Sequence, residues 1–494
     1  MRSPLPPIAS EALWRRPEAG KTDVLHISTR GDAQAIGFTD AMLTGLARDG
    51  GLYVPQSFPK LSTPEIAALA GASYEETAET VVAALAGESL PRQGLCKAVT
   101  AAYAAFRHPA ICPLVQINDN LFVLELFHGP TLAFKDVAMR LLAGLMDQAL
   151  AERGRRVTIV GATSGDTGSA AIDAFAGSQR ADVFILYPHG RVSEVQRRQM
   201  TTPDAANVHA IAIEGTFDDC QALVKAMFNH HAFRDRLSLS GVNSINWARI
   251  AAQVVYYFTS AVALGAPHRP VSFTVPTGNF GIVLAGFVAK RMGLPIARLG
   301  IATNDNDILA RTLEDGRYTV RGVVQTASPS MDIEVSSNFE RLLFEAFGRD
   351  PASVRGAMSS LAQSGGFSIE PKAFARIRDE FDGYRTLASE AAATMREVWD
   401  ETGYLLDPHS AVAVHAAKRA LMHDKATPMI ALATAHPAKF PEAVAAATGH
   451  RAELPPHMQD LMTRKERVSV LANDRQAVEA FVENHARAAT NRAG

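Results

Sequence analysis

Four stretches of this chain combine residue types that could do chemistry, and each stands where an apolar run gives way to a helical pattern. In Phe127-His128-Gly129-Pro130-Thr131-Leu132-Ala133-Phe134-Lys135-Asp136, one lysine follows two apolar residues. An amine so placed is partly desolvated, which lowers its pKa and frees its lone pair to attack a carbonyl. A plain ion pair between Lys135 and Asp136 at a helix start fits the same residues. In Gly161-Ala162-Thr163-Ser164-Gly165-Asp166-Thr167-Gly168, small residues let backbone approach a ligand, and the amides opening a helix over residues 169–176 favour a carboxylate. A tight turn capped by Asp166 or Thr167 is the structural alternative. In Pro276-Thr277-Gly278-Asn279-Phe280-Gly281, two glycines permit a nest of N–H groups for a phosphate at another helix start. In Ser240-Gly241-Val242-Asn243-Ser244-Ile245-Asn246-Trp247-Ala248-Arg249, Asn243 and Ser244 offer neutral donors at a helix start, and Arg249 adds a guanidinium fork. That set suits a dianion, although an Asn cap beside a surface ion pair looks the same.

Neither glycine loop fits a nucleotide. Residues 161–168 space their glycines G-x-x-x-G-x-x-G, and the next strand ends at Tyr187-Pro188-His189-Gly190 with no acid for a ribose hydroxyl; no lysine follows Gly281 as a Walker loop requires. One desolvated lysine with up to three anion-binding loops is what pyridoxal 5'-phosphate and an amino-acid substrate need. The lysine meets the cofactor's aldehyde, and the loops supply a phosphate cradle, a carboxylate site and a further anion site.

The elements that must position these loops read as alternating strands and helices. Leu121–Phe127, Val157–Val160, Val183–Tyr187, Val208–Ile213, Val271–Val275, Leu299–Ala302 and Met429–Thr434 are strand-like, with helical patterns such as Val137–Leu150, Asp218–Phe228 and Ile282–Met292 between them. The fold class is therefore α/β, with parallel sheets covered on both faces and ligands at the carboxyl ends of the strands. His26, Thr29 and Arg30, near the start, either face a ligand or pack at a strand end. The run from Ala251 to Ala266 is interrupted by Gln253, Thr259 and Ser260 and is too short to span a bilayer, so it reads as a core helix. Asp407-Pro408-His409-Ser410 reads as a helix cap.

A length of 494 residues suffices for several domains, and a net charge of −2 gives no basic field for nucleic acid. Cys96, Cys112 and Cys220 are far apart and odd in number, which indicates a reducing compartment and buried, inert thiols. The scattered histidines show no metal spacing, so no metal is expected. Arg464–Arg467 reads as a solvated charged face.

Taken in order, HGPTLAFKD, ATSGDTGSAA, GVNSINWAR, PTGNFG and ATAHPAKF resemble the threonine synthases, a family of fold-type II pyridoxal-phosphate enzymes. HISTRG, LARDGGLYVP and DPHSAVA (Asp407–Ala413) are similar to its longer bacterial and fungal branch, and the likeness runs from Val24 to the C-terminus. It implies two parallel-sheet α/β domains with the site between them, plus an N-terminal α/β domain. The corresponding divisions are a loose tail (1–23), the N-terminal entry domain (24–115), a large cofactor domain with a C-terminal segment (116–155 and 266–494) and a smaller substrate domain (156–265).

The resemblance further implies that Lys135 holds the cofactor and moves protons, that Gly278, Asn279, Phe280 and Gly281 hold its phosphate, and that Thr434 lies against its pyridine nitrogen. Thr163, Ser164 and Thr167 would receive the substrate carboxylate, with Asp166 flanking the cofactor ring where some fold-type II relatives carry Asn. Asn243, Ser244 and Arg249 would take the substrate phosphate. The implied reaction converts O-phospho-L-homoserine and water to L-threonine and phosphate. The implied setting is a cytoplasmic monomer or homodimer with small-molecule partners and neither nucleic acid nor membrane. A dehydratase-like fold-type II enzyme, or a catalytically silent relative, would share the lysine and the cofactor loop.

Overall fold

The computed structural model describes residues 24–488, so the expected tail at 1–23 lies outside the described residues. Two sheets organise them. The larger has six strands in the order Phe381–Arg385, Ile296–Thr303, Val271–Pro276, Met429–Ala433, Leu121–Glu125 and Leu114–Gln116; only the last pairing is antiparallel. The smaller has five parallel strands in the order Ser469–Ala472, Val208–Glu214, Ala181–Pro188, Val157–Ala162 and Leu239–Ser240. Their central strands, Met429–Ala433 and Ala181–Pro188, are buried along their whole length. Runs this nearly apolar, broken only by Asp182, which pairs with Arg487, are what a parallel strand covered on both faces requires.

The helix Trp247–Ala263 begins and ends a few residues earlier than the expected core run and packs on the helices Tyr74–Ala86, Lys135–Glu152 and Gly281–Arg291. Among the described residues no helix is long and apolar enough to cross a membrane. Near the N-terminus, His26–Ser28 pairs antiparallel with Tyr53–Pro55. Of the three early polar residues, His26 is buried against Phe38 and Trp247, while Thr29 and Arg30 both bind Glu340. Strand-end packing therefore accounts for all three. Buried Arg341 ties this region to the centre by donating to the carbonyls of Tyr53 at 3.0 Å and Ile245 at 2.6 Å.

Two expectations need correction. Residues 266–494 do not all join the larger sheet, because Ser469–Ala472 pairs in register with Val208–Glu214 and covers the edge of the smaller one. The charged stretch before that strand keeps Arg464, Lys465 and Arg467 exposed, as a solvated face should, while Glu466 turns in to pair with Arg197 and accept from Thr201 Oγ1. Among the thiols, Cys112 and Cys220 are buried, but Cys96 is only half-buried.

Candidate active site

Lys135 is the first residue of the helix Lys135–Glu152 rather than the residue ahead of it, and its side chain is buried. The strand Leu121–Glu125 delivers the chain to this point through a turn held by Asp136. That carboxylate accepts from the Thr131 amide at 2.7 Å and from Thr131 Oγ1 at 2.5 Å. Asp136 is therefore not the partner of Lys135, because its oxygens are turned back onto the loop. The Lys135 ammonium instead lies 3.5 Å from Asp166 Oδ2 and 3.3 Å from Ser330 Oγ. Burial lowers the Lys135 pKa; Asp166 opposes this, while Lys439 and Arg249 lower it further. A lowered pKa makes the amine easier to deprotonate than an exposed lysine, which favours attack on a carbonyl.

Asp166 opens the helix Asp166–Phe175, three residues earlier than expected, and it is not a cap. Its carboxylate crosses to the lysines: Oδ1 lies 2.8 Å from Lys439 Nζ and accepts from Gln196 Nε2 at 2.9 Å. Burial alone would raise its pKa, but Lys439 and Lys135 outweigh that and hold it well below the usual carboxylate range. The residue before it, Gly165, has φ 139°, and a Cβ there would lie 2.3 Å from Gln196 Cδ. Only glycine makes that turn without displacing a partner of Asp166. Thr163, expected to bind substrate, spends its hydroxyl on the loop itself by accepting from the amides of Gly165 at 3.0 Å and Gly168 at 2.9 Å. Ser164 and Thr167 stay half-buried.

The Pro276–Gly281 loop leaves the strand Val271–Pro276 and feeds the helix Gly281–Arg291. Its carbonyls are tied back: Ser336 Oγ donates to Gly278 O at 2.6 Å, and Asn338 Nδ2 donates to Asn279 O at 3.0 Å. Phe280 adopts φ 63° and buries its ring against Phe339, so its backbone serves the loop while its side chain serves the core. The first amides of the following helix have no carbonyl four residues back, and they form the positive end of its dipole. A Cβ on Gly278 would lie 2.7 Å from Ser330 O, which brings this loop against the residue that touches Lys135.

The fourth stretch differs from expectation in its cap. The helix starts at Trp247, and Asn246 is its cap, accepting from the Ala248 amide at 3.1 Å. Asn243 lies in the preceding turn, exposed. Ser244 neighbours Gly281, where a Cβ would lie 3.8 Å from its own. Arg249 is buried; one terminal nitrogen donates to Val242 O at 3.0 Å, while Nε is buried without a partner. Thr434 continues the strand Met429–Ala433, and its carbonyl accepts from the Phe134 amide at 2.8 Å, beside Lys135. The structure thus gathers Lys135, Asp166, Gly278–Gly281, Ser244, Arg249 and Thr434.

Sequence reading missed Lys439, Gln196 and Ser330. Lys439 stands within ATAHPAKF, and a lysine in an apolar motif was a usable signal. Ser330 carried none. Its place is set by the His409 ring, whose Nε2 accepts from the Ser330 amide at 3.3 Å, while Asp407 holds Nδ1 at 2.7 Å. Asp407 also caps its helix, as read from sequence.

Lys135, Lys439 and Arg249 bring three cations to a centre whose carboxylate is Asp166. Buried charge of one sign calls for a counter-charge. A phosphorylated aldehyde fits: an amine of depressed pKa, a glycine cradle at a helix N-terminus and an unpartnered guanidinium nitrogen are all present.

Comparisons with known proteins agree. The family described as pyridoxal-phosphate dependent enzyme matches residues 107–373, flanked by matches to the threonine synthase N terminus at 25–103 and the threonine synthase C-terminal region at 410–482. The fold and this centre define a fold-type II pyridoxal-phosphate-dependent enzyme. Threonine synthase from Pseudomonas aeruginosa is 50% identical over 461 residues, covering 93% of this chain and 98% of its own. The solved structure of pyridoxal-phosphate-bound threonine synthase from Brucella melitensis superposes with a TM-score of 0.91 at 61% identity, covering 94% and 100% of the two chains. The yeast threonine synthase structure gives a TM-score of 0.89 at 38% identity, covering 94% and 99%. The chain belongs to the threonine synthase family.

Proposed function

We propose that this protein converts O-phospho-L-homoserine and water to L-threonine and inorganic phosphate. The observation that carries the reading is the excess of buried cations around a lysine of depressed pKa, with Arg249 Nε left for an anion. Lys135 would hold the cofactor, the Gly278–Gly281 amides would hold its phosphate, and Thr434 would stand beside its ring. Bound pyridoxal phosphate supplies an electron sink for negative charge next to the substrate Cα.

Lys135 then works as the proton carrier. Its neutral amine takes the proton from Cα, gives it up, and, neutral again, takes one from Cβ; the C–O bond at Cγ breaks and phosphate leaves with that electron pair, taking up the proton released after the first step. The proton taken from Cβ returns to Cγ, water adds at Cβ as its O–H bond gives up a proton, and that proton goes to Cα. Arg249 and Ser244 hold the substrate phosphate, with Asn243 at the rim. Ser164 and Thr167, on the loop shaped by Thr163, receive the carboxylate. Asp166 keeps Lys135 in place between proton transfers and would flank the cofactor ring.

The test measures phosphate released from O-phospho-L-homoserine by the cofactor-loaded protein. Lys135→Ala should lower the rate by about three orders of magnitude or more. Arg249→Ala should lower kcat/KM about a hundredfold, an effect absent with substrates lacking a phosphate. Consumption of threonine without turnover of phosphohomoserine would overturn the reading in favour of a dehydratase. We further place the protein in the cytoplasm, as a monomer or homodimer acting on a small molecule, away from nucleic acid and membrane.

A further inference from the structure

A cavity of about 510 Å³ lies beside the segment that carries Lys135, yet its walls include neither Lys135 nor Asp166, Ser330 or Arg249. Its volume is that of a small-metabolite site. At one end Glu125 lies 2.6 Å from His128 Nε2 and accepts from the Tyr404 hydroxyl at 2.7 Å, so its oxygens are already satisfied. On the same wall, His436 Nδ1 accepts from the Ala438 amide at 3.1 Å, and burial lowers the pKa of its ring to about 4. Its imidazole is therefore neutral near pH 7 and carries its proton on Nε2, a hydrogen-bond donor.

Arg107 and His457 also line the cavity, and Arg107 has no ion pair among the described residues. Burial and then the Arg107 charge depress the His457 pKa, which puts the two within electrostatic reach, and His457 Nε2 is shut from solvent without a partner. Glu453 faces the cavity with no ion pair among the described residues. Leu405 and Pro437 add apolar wall. The imidazoles do not form a metal site, since no metal-holding cluster occurs among the described residues. A guanidinium and an unpartnered imidazole, a separate free carboxylate and an apolar wall are the groups that recognise a zwitterion with an apolar side chain.

We propose that this cavity binds a small apolar α-amino acid, its carboxylate on Arg107 and His457, its ammonium at Glu453 and its side chain against Leu405 and Pro437, and that occupancy regulates the Lys135 centre. The coupling route is short. The His436 amide donates to Leu132 O at 3.0 Å, the Phe134 amide donates to Thr434 O at 2.8 Å, and Ala133 bridges Ala435 between them. Leu132 and His436 line the cavity, and Lys135 follows Phe134 directly. Leu132 is held at φ 59°, a conformation that costs a leucine energy and persists only while its surroundings impose it.

The binding arm stands independently of the reaction, and the regulatory arm rests on the phosphohomoserine reading. Calorimetric titration of the cofactor-loaded protein with L-valine should show saturable one-to-one binding. That binding should persist in Lys135→Ala and weaken tenfold or more in Arg107→Ala and in His457→Ala. Valine should change phosphate release by the wild type and leave Arg107→Ala unaffected, while Arg107→Ala without valine keeps wild-type kcat and KM. Absence of binding overturns the site. Binding that Lys135→Ala abolishes and Arg107→Ala retains assigns valine to the catalytic centre instead. Displacement of valine by inorganic phosphate at equal affinity reduces the cavity to an anion site and overturns the amino-acid assignment. Valine binding with no phosphate release from phosphohomoserine would fault the proposed reaction alone.

Discussion

Asp136 and Asp166 are the same residue in nearly the same position, each in the first turn of a helix and each buried, yet their carboxyl groups end in opposite states. Burial pushes both pKa values up. At Asp136 the neighbouring Asp173 adds to that and only the neutral donors of Thr131 and a more distant Lys439 oppose it, so the pKa is raised to about 7. At Asp166 the charges of Lys439 and Lys135 win, and the group stays ionised. The difference shows that depth of burial does not decide the protonation state here; the sign of the nearest charge does. Asp136 braces the turn before Lys135. Asp166 is the counter-charge that two buried lysines share.

The largest way to break this contrast is Asp166→Asn. It leaves the Lys439 and Lys135 ammonium groups buried with no carboxylate between them, and loss of a buried partner costs about 3–5 kcal/mol. Chemical denaturation of the cofactor-free protein should show that loss, and phosphate release should fall with it. The sign with pH follows from the lowered folded-state pKa: the stability due to Asp166 is present above its ordinary value of 3.8 and is lost as pH falls through the folded value. A variant as stable as the wild type would mean that the lysines do not depend on this carboxylate.

Lys439→Met is the next step down. Asp166 would keep Lys135 at 3.5 Å and Gln196 at 2.9 Å while losing its closest cation, so the expected cost is smaller, about 2 kcal/mol. Lys439 also donates to Thr131 O at 2.7 Å and lowers the pKa of Asp136, so this one change should raise the pKa of both aspartates. The acid limb of the pH–rate profile should then move toward higher pH. An unmoved acid limb would place the controlling charge elsewhere.

The contrast also marks what could be read from the chain before folding. Strand-to-helix junctions, the parallel sheets and the stretches bearing Lys135, Gly278–Gly281 and Arg249 followed from local pattern, because each is specified within about ten residues. The pairing of Lys135 with Asp166 did not, since adjacency in sequence favoured Asp136. Asp136 is closed to it because Thr131 takes both of its oxygens. Asn243 failed as a cap for a related reason: a turn intervenes and passes that role to Asn246. Ser330 and the strand Ser469–Ala472 depend on contacts between distant segments, which local pattern does not encode.

The smallest expected effect is the most discriminating. In Asp136→Asn an amide replaces an acid of the same shape that is largely protonated below about pH 7. The Thr131 amide can still donate to the side-chain oxygen, and the Thr131 hydroxyl can turn to accept from the new NH₂ group. The cost near pH 5 should therefore be below about 1 kcal/mol, since no buried group loses its partner. In the wild type the raised folded-state pKa means that the native state keeps a proton the unfolded state has released between 3.8 and about 7. Unfolding free energy then falls as pH rises through that window. The Asn variant lacks this term, so its stability should decline less over the same range and should equal or exceed that of the wild type near pH 8. Urea midpoints measured across the window decide it. If Asp136→Asn costs as much as Asp166→Asn at every pH, Asp136 is ionised and the two sites are alike; if the curves converge and cross, neutral donors hold a neutral acid at one helix start and cations hold an anion at the other.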